Sequence, residues 1–161
     1  MRLGDKPLIP RQGGFTYVAV LFALAIFGIG LAALGETWSA RSHRDKEEDL
    51  IRVGSAYASA ISQYYRRSPG SAKQYPVKLE DLLEDRRFVG TERYLRQLYP
   101  DPMAGGQEWG IVKAPDGGVA GVFSLSEKNS LRQSPLVLSS GATIAGSRYL
   151  EWKFIFQPPK P

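Results

Sequence analysis

Few side chains in this sequence could carry nucleophilic or metal chemistry. There is no cysteine, and the one histidine, His43, lies in a charged stretch. These counts exclude disulfides, thiolate sites, cysteine nucleophiles and the usual zinc sites. No nucleophile elbow or phosphate-binding loop motif occurs, and Ser124 and Ser126 have no nearby base by spacing. We therefore predict that the chain is not an enzyme, with no catalytic residues, no metal and no cofactor.

The residues that do predict chemistry are a glycine pair near the start of the chain. Residues 1–14, MRLGDKPLIPRQGG, are polar and basic and are interrupted by prolines, so this stretch should not form a stable helix. Gly13 and Gly14 stand directly before Phe15 and should make the backbone flexible. A peptidase needs a backbone that can become extended and accessible, which makes this a candidate processing site.

An apolar stretch follows the glycine pair. No charged residue occurs in residues 12–35, and a helix of about 20 residues spans the roughly 30 Å core of a bilayer. We predict a transmembrane helix at 15–35, in contact with membrane lipid. The leader is net positive and the charges after Glu36 are mixed, so the N-terminus should stay in the cytoplasm. An uncleaved signal anchor, or a secretory signal peptide cut among the small residues 32–35, remains open.

Apolar residues continue at helical spacing beyond this stretch. No proline occurs between Phe15 and Arg67, and the sequence Ser68-Pro69-Gly70 ends the pattern. Residues 36–67 are therefore predicted to continue the same helix outside the membrane, with the charged run 41–49 forming a solvated face. One face of this helix should pack against a sheet as a core stripe of Leu50, Ile51, Gly54, Tyr57, Ile61 and Tyr64.

The rest of the chain predicts a small α+β domain at 68–157, followed by a proline-rich tail at 158–161. Short helices are expected at 78–88 and 91–98. Strands are expected at 109–113, 119–125 and 149–156, with a further short strand at 136–138 and mostly loop elsewhere in 126–148. The predicted architecture is one long N-terminal helix packed on a small antiparallel sheet.

The glycine pair and the apolar run together resemble the processing site of type IV pilins and of type II secretion pseudopilins. The resemblance lies in Gly13-Gly14-Phe15-Thr16 directly ahead of the spanning helix. It implies a pilin-like fold, and cleavage after Gly14 by a membrane-embedded prepilin peptidase on the cytoplasmic side. It also implies N-methylation of Phe15 and a single-pass inner-membrane protein whose C-terminal domain is periplasmic.

A second stretch resembles the G-type major pseudopilin. Tyr94-Leu95 leads to Pro100-Asp101-Pro102-Met103, where that family has a Tyr-Leu pair and then Pro-x-Asp-Pro-Trp-Gly. The spacer residue is missing here, and methionine replaces tryptophan. The family's calcium loop follows a Ser-Leu-Gly segment, but the chain departs from it after Ser124-Leu125. Glu127 and Glu151 are the only acidic residues beyond residue 118, so we do not expect calcium.

One position departs from the family in a way that bears on assembly. The family normally has a glutamate as the fifth residue after the cut, where this chain has Ala19. That glutamate is thought to neutralise the N-terminal ammonium of a neighbouring subunit, and a buried ammonium without a partner is costly. The resemblance implies either a subunit at the filament tip, where pseudopilins lack the glutamate, or a paralogue that pairs differently.

The function expected from this resemblance is that of a structural pseudopilin in a type II secretion filament, which assists export of folded proteins across the outer membrane. The expected partners are the prepilin peptidase, other pseudopilins and the inner-membrane secretion platform. A minor type IV pilin, or a membrane-anchored periplasmic enzyme or binding domain, are the alternatives. The net charge of +5 includes no block of consecutive basic residues, so no nucleic-acid partner is expected.

Overall fold

The structure is a computed structural model that describes residues 13–138 and 141–158, with side chains described except at 13–15 and 31–40. Residues 1–12 of the predicted leader (1–14) and residues 159–161 of the predicted tail (158–161) lie outside these residues. The described chain combines one long helix with small antiparallel sheets, which confirms the α+β prediction. It divides into two compact units, Met1–Ser42 and His43–Pro161.

Helix α1 runs from Gly13 to Arg66. It begins two residues earlier than expected, because the first backbone N–H groups of a helix have no intrahelical acceptor and glycine is tolerated there. Its end is fixed by Ser68, whose hydroxyl lies 3.3 Å from the carbonyl of Tyr64 and 3.2 Å from that of Gln74. Pro69 then lacks an N–H, and Gly70 adopts a φ of 78°, so the helix cannot continue.

Five short strands form two sheets. They are β1 Gly110–Lys113, β2 Val119–Phe123, β3 Leu136–Val137, β4 Thr143–Ile144 and β5 Lys153–Ile155. Strands β1, β2 and β5 form an antiparallel sheet in that order, and β3 pairs with β4. Strand β4 was not predicted, because two residues in a Ser- and Gly-rich stretch carry no recognisable alternation.

The two short helices predicted before the sheet are wrong in large part. Only a 3-10 helix, Leu79–Leu82, forms within 78–88, and 91–98 contains no helix. The reason is that the carbonyl of Leu82 accepts the N–H groups of both Tyr94 and Leu95, at 2.9 and 3.0 Å. Those amides therefore bind an earlier segment of the chain instead of forming a helical turn of their own.

Several strand boundaries also differ from the prediction. Tyr149–Glu151 is a 3-10 helix, so the last strand begins at Lys153 instead of Tyr149. Strand β2 ends at Phe123, because the N–H of Leu125 turns to the Asp101 carboxylate at 3.1 Å. The first strand begins at Gly110, one residue later than expected.

The core lies between the C-terminal part of α1 and the three-stranded sheet. Leu50, Tyr57, Ile61 and Tyr64 of the expected stripe are buried, and Ile51 is half-buried against them. Facing them are the buried side chains of Trp109, Val119, Val122, Trp152, Phe154 and Phe156. Each large apolar side chain buried in this way contributes about 1.5–3 kcal/mol relative to exposure, so this contact dominates the stability of His43–Pro161.

Candidate functional site

The proposed processing residues lie at the start of α1. Gly13 and Gly14 are its first two residues and Phe15 is the third. The side chain of Phe15 is outside the description. The expectation that the stretch up to Gly14 forms no helix is wrong at Gly13 and Gly14, which are helical, and nothing in the structure tests the predicted cleavage.

The described side chains that follow form an apolar surface on α1. Every residue from 16 to 30 is exposed, including Ala19, and large side chains such as Phe22, Phe27 and Ile29 are about 70 % exposed (69, 68 and 72 %). This surface is almost entirely apolar, and contiguous exposed surfaces of this kind are typical of sites that bind another apolar body. Among the side chains that the structure describes, no helical stretch is both long and apolar enough to cross a membrane.

The prediction that the charged run 41–49 forms a solvated face is wrong at Glu47. Glu47 is buried, and its Oε2 accepts hydrogen bonds from the Tyr149 hydroxyl at 2.6 Å and from the Leu131 N–H at 2.9 Å. Burial and the bond to Glu47 raise the pKa of Tyr149. Glu47 therefore ties α1 to the loop before β3 and to the 3-10 helix before β5.

His43 joins the same cluster. Its Nε2 lies 3.2 Å from the Tyr149 hydroxyl oxygen, and the residue is half-buried. The Tyr149 hydroxyl has one proton, which the short bond assigns to Glu47, so Nε2 of His43 must be the donor. The histidine thus supports a structural hydrogen bond, and the cluster presents no nucleophile.

A second buried carboxylate fixes the C-terminal end of α1. Asp85 is 2 % exposed and binds Arg87 in a two-pronged pair, with contacts of 2.6 and 2.8 Å. Arg87 also donates to the carbonyl of Tyr64 at 3.0 Å and to Ser68 at 2.8 Å, and its guanidinium lies 3.6 Å from the centre of the Tyr64 ring. Arg87 therefore satisfies the carbonyl of Tyr64 at the helix end, and Asp85 holds the guanidinium in place.

The charges in this second cluster shift the ionisation of its members. Burial on its own would raise the pKa of Asp85, but the hydrogen bonds from Arg87 and Tyr94 outweigh it and lower the pKa. Burial and the bond to Asp85 raise the pKa of Tyr94 to about 12. Asp85 is therefore an ionised, fully bonded carboxylate at neutral pH, and no proton donor for catalysis.

A third buried carboxylate, Asp101, holds the proline-rich loop against the end of β2. It is 0 % exposed and accepts bonds from the Ser124 hydroxyl at 2.7 Å, the Leu125 N–H at 3.1 Å and the Met103 N–H at 2.8 Å. Ser124 could be a nucleophile by residue type, but it is buried and its hydroxyl donates a hydrogen bond to the Asp101 carboxylate. The sequence showed only an aspartate between two prolines, which indicates a turn and not a buried carboxylate.

Metal ligands are not gathered in the part of the chain that the structure describes. No three side chains of the types His, Cys, Asp and Glu come close enough together there to hold an ion. In the segment compared with the calcium loop, Ser126 is buried and accepts the Lys128 N–H at 3.4 Å, while Glu127 points to solvent.

The chain was compared with family models, curated proteins and solved structures. No family model, no curated protein and no solved structure matches the chain.

Proposed function

We propose that this protein is a structural pseudopilin, a subunit of a type II secretion filament that assists export of folded proteins across the outer membrane. One observation carries the proposal: a single helix, α1, presents an exposed apolar surface along residues 16–30 and supplies the core of a small α+β domain with its later residues. This arrangement is expected of a subunit that assembles with other subunits through the N-terminal part of a helix and folds around its C-terminal part.

The apolar part of α1 is the proposed anchor and assembly surface. The uncharged sequence covers residues 12–35 and extends beyond the described side chains on both sides. Before assembly it would lie across the inner membrane, with the domain in the periplasm. In the filament the same side chains would pack against the equivalent helices of other pseudopilins. The pilin-like arrangement of helix and sheet belongs to this proposal.

The buried polar groups support a structural role. Glu47, Asp85 and Asp101 are the buried carboxylates of the described chain, and each one accepts hydrogen bonds that tie a loop to α1 or to β2. None of the three is held unpaired at a cavity, which is where a catalytic acid or base would lie. Their arrangement favours a rigid building block over an enzyme.

Maturation of the N-terminus tests the proposal. We expect mass spectrometry of the protein from its native host to find a chain that starts at Phe15 and carries an N-methyl group. Gly14→Leu should block cleavage because it places a bulky side chain at the small residue before the cut, whereas Gly14→Ala is the matched control and should still be cut. A chain starting at Met1, or one starting near Gly35, would overturn the proposal.

The type of filament is tested separately. Deletion of the gene should leave folded exoproteins trapped in the periplasm while surface pili remain unchanged. Loss of pili with normal secretion would assign the subunit to a type IV pilus instead, and measurable turnover by the purified protein would replace the structural role altogether.

A further inference from the structure

A cavity opens on the surface of His43–Pro161 between the 3-10 helix Leu79–Leu82 and the edge of the sheet. Its volume is about 270 Å³. Its walls come from two segments, 78–80 and 106–111, with Leu98, Tyr99 and Pro100 between them and Tyr57 of α1 below. None of the three buried carboxylates lines it, so no structural cluster accounts for it.

Two aromatic residues, Tyr57 and Trp109, lie at the floor of this cavity, and their polar groups are already hydrogen-bonded within the protein. The Tyr57 hydroxyl donates to the carbonyl of Tyr99 at 3.0 Å and accepts from its N–H at 2.9 Å. The Trp109 indole N–H donates to the same carbonyl at 2.9 Å. The Tyr57 and Trp109 rings lie 5.7 Å apart between centres. Both rings are almost fully buried, with Tyr57 1 % and Trp109 6 % exposed, so a ligand would lie above them and meet mainly the side chains of the rim.

The rim carries more negative than positive charge. Glu80 lies on one wall and Glu108 on the other segment, with Lys78 beside Glu80. All three are exposed, and none forms an ion pair with another residue that the structure describes. Burial raises the pKa of Tyr57, so its hydroxyl is uncharged at neutral pH and the charges of the cavity are those of the rim.

Two features beside the cavity suit a polypeptide better than a free small molecule. Leu98 and Ile111 line the cavity and remain 36 and 41 % exposed, so they offer apolar contact outside it. Ile111 belongs to β1, an edge strand that pairs only with β2 within the described sheet. An extended chain can bind such an edge through its backbone while one side chain enters an adjacent pocket.

We propose that this cavity binds an arginine or lysine side chain presented by another polypeptide, from a segment in which apolar residues flank the basic one. The aliphatic stem enters the cavity above Tyr57 and Trp109, the charged group lies near Glu80 and Glu108 at the rim, and the apolar neighbours contact Leu98 and Ile111. The site lies wholly within residues 43–161, so it stands whether or not the leader is cleaved.

Titration of the full-length protein in detergent micelles tests this assignment. With 15N-labelled tryptophan, the indole signal of Trp109 reports on the cavity floor. We expect acetyl-Leu-Arg-Leu-amide to shift this signal saturably and to bind about fivefold more tightly than the peptide with norleucine in place of arginine. The affinity should fall as sodium chloride is raised from about 50 mM to about 500 mM, because the rim charges are exposed.

Matched variants and a free cation complete the test. Neutralising the rim with Glu80→Gln and Glu108→Gln together should weaken the arginine peptide about fivefold. Glu48→Gln and Glu127→Gln together remove the same number of exposed charges outside the cavity and should change nothing. Equal affinity for the arginine and norleucine peptides, or a Trp109 signal that does not move, would overturn the proposal. Binding of butylguanidinium as tightly as the peptide would also overturn it, since the site would then serve a free amine.

Discussion

The ring of Phe154 occupies the space where a side chain on Gly54 would lie. The nearest ring atoms are closer to an ideal Cβ on Gly54 than real Cβ contacts permit. Gly54 is buried in the middle of α1, and Phe154 is buried in β5. The glycine therefore lets the helix approach the sheet closely enough for an aromatic ring to lie directly on the helix backbone.

We expect Gly54→Ala to destabilise the protein by about 2 kcal/mol. Alanine is the better helix former by about 1 kcal/mol, so a net loss requires that the clash with Phe154 outweigh the gain in helix propensity. Denaturant unfolding followed by tryptophan fluorescence measures this change, because Trp152 and Trp109 belong to the same core.

Two further variants separate the clash from a general effect of the substitution. Gly90→Ala is the matched control, since a Cβ there meets no atom and its backbone is not left-handed; it should be neutral. Phe154→Leu should cost less in the Gly54→Ala background than alone, because the two changes act on one contact. Additive effects of the two substitutions would show that the ring and the glycine are not coupled.

The Asp85–Arg87 pair predicts a pH-dependent stability. The folded-state pKa of Asp85 lies below its unfolded value of about 4, so its contribution is complete above that pH and is lost as the pH falls through the folded-state pKa. Asp85→Asn should cost about 2–3 kcal/mol at neutral pH, because Arg87 loses its charged partner. The difference from wild type should shrink below about pH 4 in denaturant unfolding measured across pH.

The control for this prediction is Glu84→Gln. Glu84 pairs with Arg86 at 3.7 Å, but the two side chains are 55 and 87 % exposed, so this variant should differ little from wild type at any pH. A wild-type and Asp85→Asn pair whose difference stays constant down to acid pH would contradict the assignment of an ionised Asp85.

The hydrogen bond to Glu47 should protect the Leu131 amide, which belongs to no strand, from hydrogen exchange. The Leu131 N–H donates to the Glu47 carboxylate at 2.9 Å and, at 3.3 Å, to the Tyr149 hydroxyl, which is itself bonded to Glu47. Removal of the carboxylate takes away the nearer acceptor and the partner of the other one, so the amide should exchange with water more readily. Hydrogen exchange at Leu131 should accelerate about tenfold in Glu47→Ala. Glu48→Ala removes the neighbouring exposed carboxylate and should leave exchange at Leu131 unchanged; equal rates in the two variants would refute the tether.

The sequence predicted the elements whose side chains repeat. Apolar residues three and four apart were enough to place the described course of α1, and the turn Pro115-Asp116-Gly117-Gly118 between two apolar runs was enough to place β1 and β2. In both cases the local pattern and the tertiary packing favour the same structure, because the periodic face is the face that is buried.

The parts that sequence reasoning missed depend on contacts between distant residues. The segment at 91–98 has helical propensity, yet its amides bind the carbonyl of Leu82. Glu47 stands in a run of charges that looks solvated, but Tyr149, far along the chain, removes it from water. No local pattern distinguishes such a carboxylate from its exposed neighbours, so only the folded chain identifies the groups that hold the loops in place.

Ala19 predicts the place of the subunit in the proposed filament. In the family that the N-terminus resembles, a glutamate at this position pairs with the ammonium of a neighbouring subunit. Ala19 is exposed on the apolar part of α1 and cannot form that pair. An interior subunit would meet this cost at every contact, whereas a subunit at the tip would meet it seldom. We therefore expect a low-copy subunit at or near the tip, although the Tyr94-Leu95 and Pro100-Asp101-Pro102 stretch resembles the major subunit.

Copy number and a carboxylate placed at two positions test this expectation. Quantitative proteomics of the assembled system should count far fewer copies of this chain than of the major subunit, and equal counts would refute the tip position. Overproduced Ala19→Glu should enter long filaments, because a neighbouring ammonium offsets the cost of about 3 kcal/mol for an acid in the apolar bundle. Ala23→Glu places the same acid one helical turn away, on an equally exposed position of α1. It carries the same cost without the partner, so it should not enter filaments; if both variants assemble alike, the missing carboxylate is not what restricts the wild-type chain.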